Sequence, residues 1–528
     1  MNKAKRYTFL KSRTGESVPA FIMPDSDARP LHSLIDPVKE AERLISAHAN
    51  NDFLIFLGLG GGFAPLIALE KTSSRVVVID FNKTEIEELT AGKDYSALLE
   101  NSRFSLLTDY STEEIKSFIM ENFNPALYSG IKTIPLRTRT EKDIEKFDAV
   151  TAAIKQAIET VSGDFSVQAH FGFRWFSNII RNINCMEDQN DDLLLNIKKS
   201  GLKKAAITAA GPSLDLQIPS LKNFKSQGGF IISCDTALGS LLQNGIKPDL
   251  IVSIDCQHIS YYHFAGFNTL DIPLILDMAS PPLLCAFSSA PVFFSSGHPL
   301  CRYINSVWRD FPLLDTSGGN VTYACLSLAE YLNIEHITLF GADFSYVRSQ
   351  SYARGTYIYP YFHNRQNRIL GMEAQMSRFL YRSPFLPKEA SVEYHETSQL
   401  KFYREKLEEK ASSMNSIVTS EAGKGAPINL NTKQALRNKE QRTVYKKEKE
   451  KESADNFLKT YRNDITALPK AGEKENYIQK LNIKEKTIFT TLLPMAAAIK
   501  KRNPSIAFNE LISETKNKSV FEIDSLLH

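Results

Sequence analysis

Ala206-Ile207-Thr208-Ala209-Ala210-Gly211-Pro212-Ser213-Leu214-Asp215 sets an apolar strand against a small-residue turn that closes on Ser at the start of a helix. Gly211 leaves the backbone open to close approach, and Pro212 fixes the turn without needing its N–H. Ser213 is placed to cap the helix, with its hydroxyl turned to whatever approaches the glycine. Alone, the stretch fits either an ordinary strand-to-helix turn or a seat for a phosphate. Its sequel repeats the design. Phe230-Ile231-Ile232-Ser233-Cys234-Asp235-Thr236-Ala237-Leu238 is again strand, acidic residue and helix start, and the run from Gly245 to Asp255 gives a third strand ending in Asp. Apolar, β-branched strands separated by helix-length segments and ending in polar residues predict a parallel sheet with its functional residues at the C-terminal edge.

Pro273–Asp277, Pro291–Phe294 and His336–Gly341 read as further strands of that sheet. Phe171 to Asn182 reads as an amphipathic helix whose aromatic stripe is core. Towards the N-terminus, Phe53–Leu57 leads into Gly58-Leu59-Gly60-Gly61-Gly62-Phe63, and Arg75–Asp80 follows as a second strand. The spacing places Asp80 about twenty residues beyond the glycines, as a ribose-binding carboxylate stands in a Rossmann unit. Gly58, Gly60, Gly62 and Asp80 are therefore candidate cofactor residues for S-adenosylmethionine or a dinucleotide. A retained fold without ligand is the alternative. Beyond about residue 430 the chain is charged and helix-prone, with Lys446–Glu452 as a solvated run and Ile488–Ile499 as a short apolar helix. The expected organisation is α/β: a Rossmann-like domain over 1–165, a doubly wound domain over 166–430 and a small α-helical domain over 431–528. No internal repeat stands out.

A length of 528 residues exceeds one core and suggests two to four domains. With 43% apolar and 23% charged residues the composition is that of a soluble globular protein, and a net charge of +3 gives no push towards nucleic acid or a membrane surface. No segment has the length of a membrane span or a signal peptide, so a cytoplasmic location is expected. The six cysteines lack metal-type spacing and read as buried, reduced thiols, and no metal site is expected.

Downstream, Asp315-Thr316-Ser317-Gly318-Gly319-Asn320 precedes an apolar helix, a pattern that serves either as an anion site or as a plain N-cap. Gly341-Ala342-Asp343-Phe344-Ser345-Tyr346 ends a strand as Asp235 and Asp255 do, and is followed by a loop rich in hydroxyl and guanidinium donors up to Tyr357. This ordered set, Gly211-Pro212-Ser213-Leu214, Asp235-Thr236-Ala237-Leu238, Gly245-Ile246-Lys247-Pro248-Asp249, Ser317-Gly318-Gly319 and Gly341-Ala342-Asp343, resembles the motility-associated factor (Maf) flagellin glycosyltransferases over roughly residues 40–430. Members of that family commonly carry Gln where Ala342 stands. The resemblance implies a central domain similar to bacterial sialyltransferases. It also implies transfer of a nonulosonic acid, of pseudaminic or legionaminic type, from a CMP-activated donor to Ser or Thr of flagellin, with the activated sugar as substrate and no cofactor. By the same resemblance Gly211, Pro212, Ser213, Asp235, Asp255, Thr316, Ser317, Gly318, Gly341 and Asp343 bind substrate, and Tyr346 and Tyr352 hold the donor phosphate. The two tyrosines keep a six-residue separation but are displaced by one position from the Gly-x-Asp. His363 is the candidate base, with His395, His258 and His263 as alternatives.

Two other readings remain. Asp235–Leu238 with Gly245–Asp249 also looks like thiamin and pterin diphosphokinases, which gather carboxylates around Mg²⁺ and ATP; here the third strand ends in a single Asp255. A non-catalytic flagellin-binding module is the third.

Overall fold

In the computed structural model, the described residues are 6–23, 27–48, 52–189, 192–388, 393–430, 452–472, 477 and 480–527. They form two compact units, Met1–Phe173 with Asp464–Ser519, and Arg174–Asn463 with Val520–His528. The helical region beyond 430 is thus shared between the two units. Of the run Lys446–Glu452, all but Glu452 lies outside the described residues.

The first unit opens with an antiparallel sheet of β1 (Tyr7–Lys11), β2 (Ser17–Phe21) and β3 (Arg29–Pro30). Next come β4 (Phe53–Leu57), β5 (Arg75–Asp80), β6 (Phe104–Thr108) and β7 (Ile131–Pro135), which pair in parallel in the order β6-β5-β4-β7. Every residue of β4 is buried, as a strand covered on both faces requires. Alternation sends Leu54, Phe56, Val76 and Val78 to one core with Phe63 and Ile67. Phe53, Ile55, Val77 and Ile79 go to a second core with Ile115, Phe147 and Ile154. Helix Ile483–Arg502 contains the apolar stretch expected over 488–499, buried from Ile488 through Ile499 at most positions.

The second unit carries β8 (Lys204–Thr208), β9 (Phe230–Cys234), β10 (Leu250–Ser253), β11 (Leu274–Asp277), β12 (Pro291–Phe294) and β13 (His336–Phe340). A two-stranded antiparallel ribbon, β14 (Tyr346–Val347) with β15 (Tyr394–His395), follows, and β16 (Ile417–Ser420) completes the sheet. The seven strands run parallel in the order β12-β11-β10-β9-β8-β13-β16. The chain moves outward from β8 through β12, then returns to place β13 on β8's other side, so the sheet reverses direction between β8 and β13. In open α/β sheets ligands bind outside the carboxyl ends of strands at such a reversal. Helix Val321–Tyr331 covers one face, burying Ala324, Cys325 and Leu328 on Ile207, Ile232 and Val252. Leu214, Ile218, Leu221 and Leu241 cover the other face over Ala206 and Ile231.

In the 171–182 stripe Phe176, Ile179 and Ile180 are buried, whereas Phe171, Phe173 and Trp175 are half-buried, so the aromatic face is core only in part. All six cysteines are free thiols, four of them buried and Cys185 and Cys285 half-buried. Among the described residues, no helix is long and apolar enough to cross a membrane.

Candidate functional site

At the reversal point the loops after β8 and β13 are locked together. Ala209 N donates to Phe340 O, Gly211 N donates to Gly341 O, both at 2.8 Å, and Ser213 N donates to Asp343 Oδ2 at 2.7 Å. Gln217 Oε1 accepts from Gly341 N at 2.7 Å. A Cβ on Gly211 would lie 2.5 Å from both Asp343 Oδ2 and Gly341 O, so the neighbouring loop's close approach requires glycine here. Ser213 is also recast. Its side chain makes no helix-cap bond, and its hydroxyl accepts from Lys424 N at 2.8 Å, while Ala426 N donates to Asp343 O and Ser345 Oγ, each at 3.0 Å. Pro212 and Ser213 are buried, and burial raises the Asp343 carboxyl above the usual range against the hydrogen bonds it accepts from Ser213. The Gly-Pro-Ser and Gly-x-Asp motifs therefore form a floor that fixes the segment after β16 to the reversal point.

Over that floor runs the polar aromatic loop. Ala353 N donates to Ala210 O at 2.9 Å and Arg354 N donates to Asp215 Oδ1 at 3.0 Å. A Cβ on Gly239 would come within 2.3 Å of Gly355 O, so the loop rests on the helix after β9. This seat brings Tyr352 and Tyr357 within 6.1 Å of each other and the Tyr357 ring within 4.5 Å of His263. Burial, with the charges of Asp235 and Asp255 adding to it, pushes the Tyr357 phenol up to about 12, and burial holds Tyr352 higher still. Both phenols are donors across the ordinary pH range. Tyr346, half-buried, pairs with His395 across the ribbon, and its phenol is also raised by burial. Arg382 is exposed, carries no ion pair among the described residues, and lowers all three phenols through its charge.

Beside the tyrosines, at the ends of β9 and β10, lies an acid–histidine pair. Asp235 is 1% exposed and accepts from Ser253 Oγ at 2.7 Å and Thr236 N at 2.6 Å. His263 Nδ1 stands 3.2 Å from Asp235 Oδ2 but off hydrogen-bond alignment, and this buried nitrogen has no hydrogen-bond partner among the described residues. Asp255 is half-buried and raised, first by burial and then by the neighbouring Asp235 charge, although it accepts from Gln257 N at 2.9 Å. A histidine held beside a buried carboxylate at the edge of the sheet is placed where a base could act.

The other candidates are placed differently. His363 is exposed at the end of helix Ile358–His363, with Nδ1 3.0 Å from Gln366 Nε2. His258 is exposed and stacked on Tyr261, and His395 stacks on Phe385 at 4.5 Å. The Asp315–Asn320 loop is an N-cap: Asn320 Oδ1 accepts from Tyr323 N at 3.0 Å, and Asp315 accepts from Ser317 N and, at 2.5 Å, from Tyr323 Oη. Thr316 is half-buried, Ser317 is exposed, and Gly318 is buried against the Tyr323 ring.

In the first unit the glycine turn is filled by the protein itself. The Cβ positions of Gly58, Gly60 and Gly62 meet Arg139, Leu136 with His32, and Leu98 with Tyr95 respectively, all under 3.0 Å at the nearest atom. Asp80 is 1% exposed and accepts from Leu59 N at 2.9 Å and Phe81 N at 2.7 Å. Its Oδ1 pairs with the equally buried Arg139 at 2.7 Å. The carboxylate that spacing assigns to a ribose is thus taken up by a guanidinium.

Sequence reasoning did not single out Tyr357, Gln217, Arg382 or the pairing of Asp235 with His263. It also missed Asn178 and Asn182, which donate to the carbonyls of Cys256, Ala279, Met278 and Ser280 at the ends of β10 and β11.

Residues 177–349 match the protein-family model described as 6-hydroxymethylpterin diphosphokinase MptE-like. Two proteins of Treponema pallidum (strain Nichols), both described as uncharacterized, are similar to parts of the chain. One is 39% identical over 160 residues, 29% of this chain and 51% of the relative; the other is 37% identical over 116 residues, 21% and 53%. The chain thus spans about half the length of the curated relatives it matches. The whole chain superposes on 92% of the Maf glycosyltransferase from Magnetospirillum magneticum AMB-1, with a TM-score of 0.54 at 14% identity. The two share a fold, the mixed α/β architecture expected from the resemblance in the sequence.

Proposed function

We propose that the protein is a protein O-glycosyltransferase that moves a nonulosonic acid from a CMP-activated donor to Ser or Thr of flagellin, acting in the cytoplasm before export. The observation that carries this reading is the cluster of Asp235, His263, Tyr352, Tyr357 and Arg382 at the C-terminal edge of a reversing parallel sheet. The shared fold with a Maf glycosyltransferase and the ordered motifs support it.

In the reaction the bond between the sugar's anomeric carbon and the CMP phosphate breaks, and a bond to the acceptor oxygen forms. His263 Nε2 takes the acceptor hydroxyl proton, and Asp235 steadies the imidazolium that results. Tyr352 and Tyr357 donate to the departing phosphate, whose growing charge Arg382 also offsets. Burial raises both phenols and so favours their protonated, donating form.

The family-model match gives weight to a second reading, a pterin-type diphosphokinase. Asp235, Asp255 and Asp277 do end three adjacent strands. Asp235 is committed to Ser253 and Thr236 and Asp277 to Ala279, and among the described residues no group of three His, Cys, Asp or Glu side chains converges as a cation site. We therefore favour sugar transfer. Mass spectrometry of flagellin from a strain lacking this protein tests it: loss of a nonulosonic acid mass is expected, and unchanged glycans would count against it.

A further inference from the structure

The first unit holds a cleft of about 820 Å³ that the sugar-transfer reading does not use. It opens at the C-terminal ends of β4 and β7, where Gly58, Leu59, Leu136, Arg137 and Thr138 meet helix Pro37–Ser46. In the order β6-β5-β4-β7 the chain leaves β4 towards β5 and returns to its other side at β7, so this is the reversal point of the first sheet. The volume lies within the roughly 300–1,000 Å³ of small-molecule sites.

Its lining has two halves. Leu31, Phe56, Leu59 and Ile134 are buried in the wall, and Ile35, 62% exposed, and Leu44, 37% exposed, leave apolar surface in solvent at the rim. Lys39, Arg43 and Arg137 also line the cleft, and among the described residues none has an ion pair. The two carboxylates present are already engaged, since Asp36 Oδ1 accepts from Lys39 N at 2.9 Å and Glu40 Oε2 accepts from Ser33 N at 3.0 Å. The cleft thus offers an apolar wall for a flat ring and uncommitted cations for an anion.

We propose that this cleft binds a nucleoside monophosphate, with the base against the apolar wall and the phosphate held by Arg43, Arg137 and Lys39. The seat differs from the one that glycine spacing implies. The β4–β5 side is closed by His32, Leu136 and the Asp80–Arg139 pair, which leaves the β4–β7 side for the ligand. Arginine suits the task because its planar fork meets phosphate oxygens in pairs.

Calorimetric titration of the full-length protein with AMP, UMP and adenosine tests the assignment. At least one monophosphate is expected to bind, and adenosine is expected to bind about tenfold or more weakly than AMP. Arg43→Ala and Arg137→Ala are each expected to weaken the monophosphate by about tenfold or more, as loss of a charged hydrogen bond does. Both arginines are exposed, so the variants should keep the wild-type unfolding midpoint. His263→Asn, in the second unit, should leave this binding unchanged. No monophosphate binding at millimolar concentration would overturn the proposal. Binding that survives the double Arg43→Ala/Arg137→Ala variant, or that disappears with His263→Asn, would overturn it too.

Discussion

Replacing Asp80 with Ala removes the carboxylate from a pair in which both partners are 1% exposed, with Arg139 Nη2 2.7 Å from Oδ1. The guanidinium keeps Asp143 at 2.6 Å and has Glu85 at 3.7 Å, so the charge is only partly compensated. The N–H groups of Leu59 and Phe81 lose their acceptor at the same time. Breaking one side of a buried pair costs about 3–5 kcal/mol, and each orphaned buried donor adds about 1–3 kcal/mol unless water reaches it. A loss of at least about 3–5 kcal/mol is expected for Asp80→Ala, and a smaller loss for Asp80→Ala/Arg139→Met, which removes both charges. Urea unfolding followed by circular dichroism measures this. Trp175 and Trp308, the two tryptophans of the chain, belong to the second unit, so their emission separates that unit's transition from the first. A loss under about 1 kcal/mol, or a double variant less stable than Asp80→Ala, would refute the buried-pair reasoning. So would binding of S-adenosylmethionine or a dinucleotide that Asp80→Ala abolishes.

His263→Asn is expected to slow transfer by about 10²- to 10⁴-fold with the fold intact, whereas His363→Asn should stay near wild type, both read as single-turnover rates. Tyr352→Phe and Tyr357→Phe should each slow transfer; a donor to the leaving phosphate is worth ~2.7 to 4 kcal/mol, about 10² to 10³ in rate, and near-wild-type rates would make the rings packing residues. His32, which accepts from Gly61 N at 2.8 Å, is lowered to about 4 first by burial and then by Lys93, so between pH 6.5 and about 4 the unfolded chain takes a proton that the folded chain refuses. Stability should fall by about 3 kcal/mol as pH drops through that window, at 1.36 kcal/mol per pH unit, and His32→Gln should flatten the decline in urea midpoints.

The strands β8 to β13 were legible because each is a short apolar run closed by a polar residue, and both sheets bury such runs on two faces. β16 was not singled out, since Ile-Val-Thr-Ser is short and mostly exposed, and its pairing to β13 is made across some eighty residues of chain. The motifs at the reversal point were recognised, but not what they bond. Ser213 is tied to Asp343 and Lys424, 130 and 211 residues away, and no local pattern carries such a partnership. Spacing likewise put Asp80 opposite a ribose because it registers the carboxylate and not the arginine folded onto it. The choice among four histidines was open for the same reason. What separates His263 is burial against Asp235, a property of how the turn after β10 packs on the end of β9.

Sugar transfer is read out by incubating purified protein with unmodified flagellin and a CMP-activated nonulosonic acid and measuring the intact mass of the flagellin. One or more mass increments equal to the sugar residue are expected on Ser or Thr, with release of CMP and loss of both in His263→Asn. Flagellin of unchanged mass, together with diphosphate transfer from ATP to a hydroxymethylpterin by the same preparation, would contradict sugar transfer.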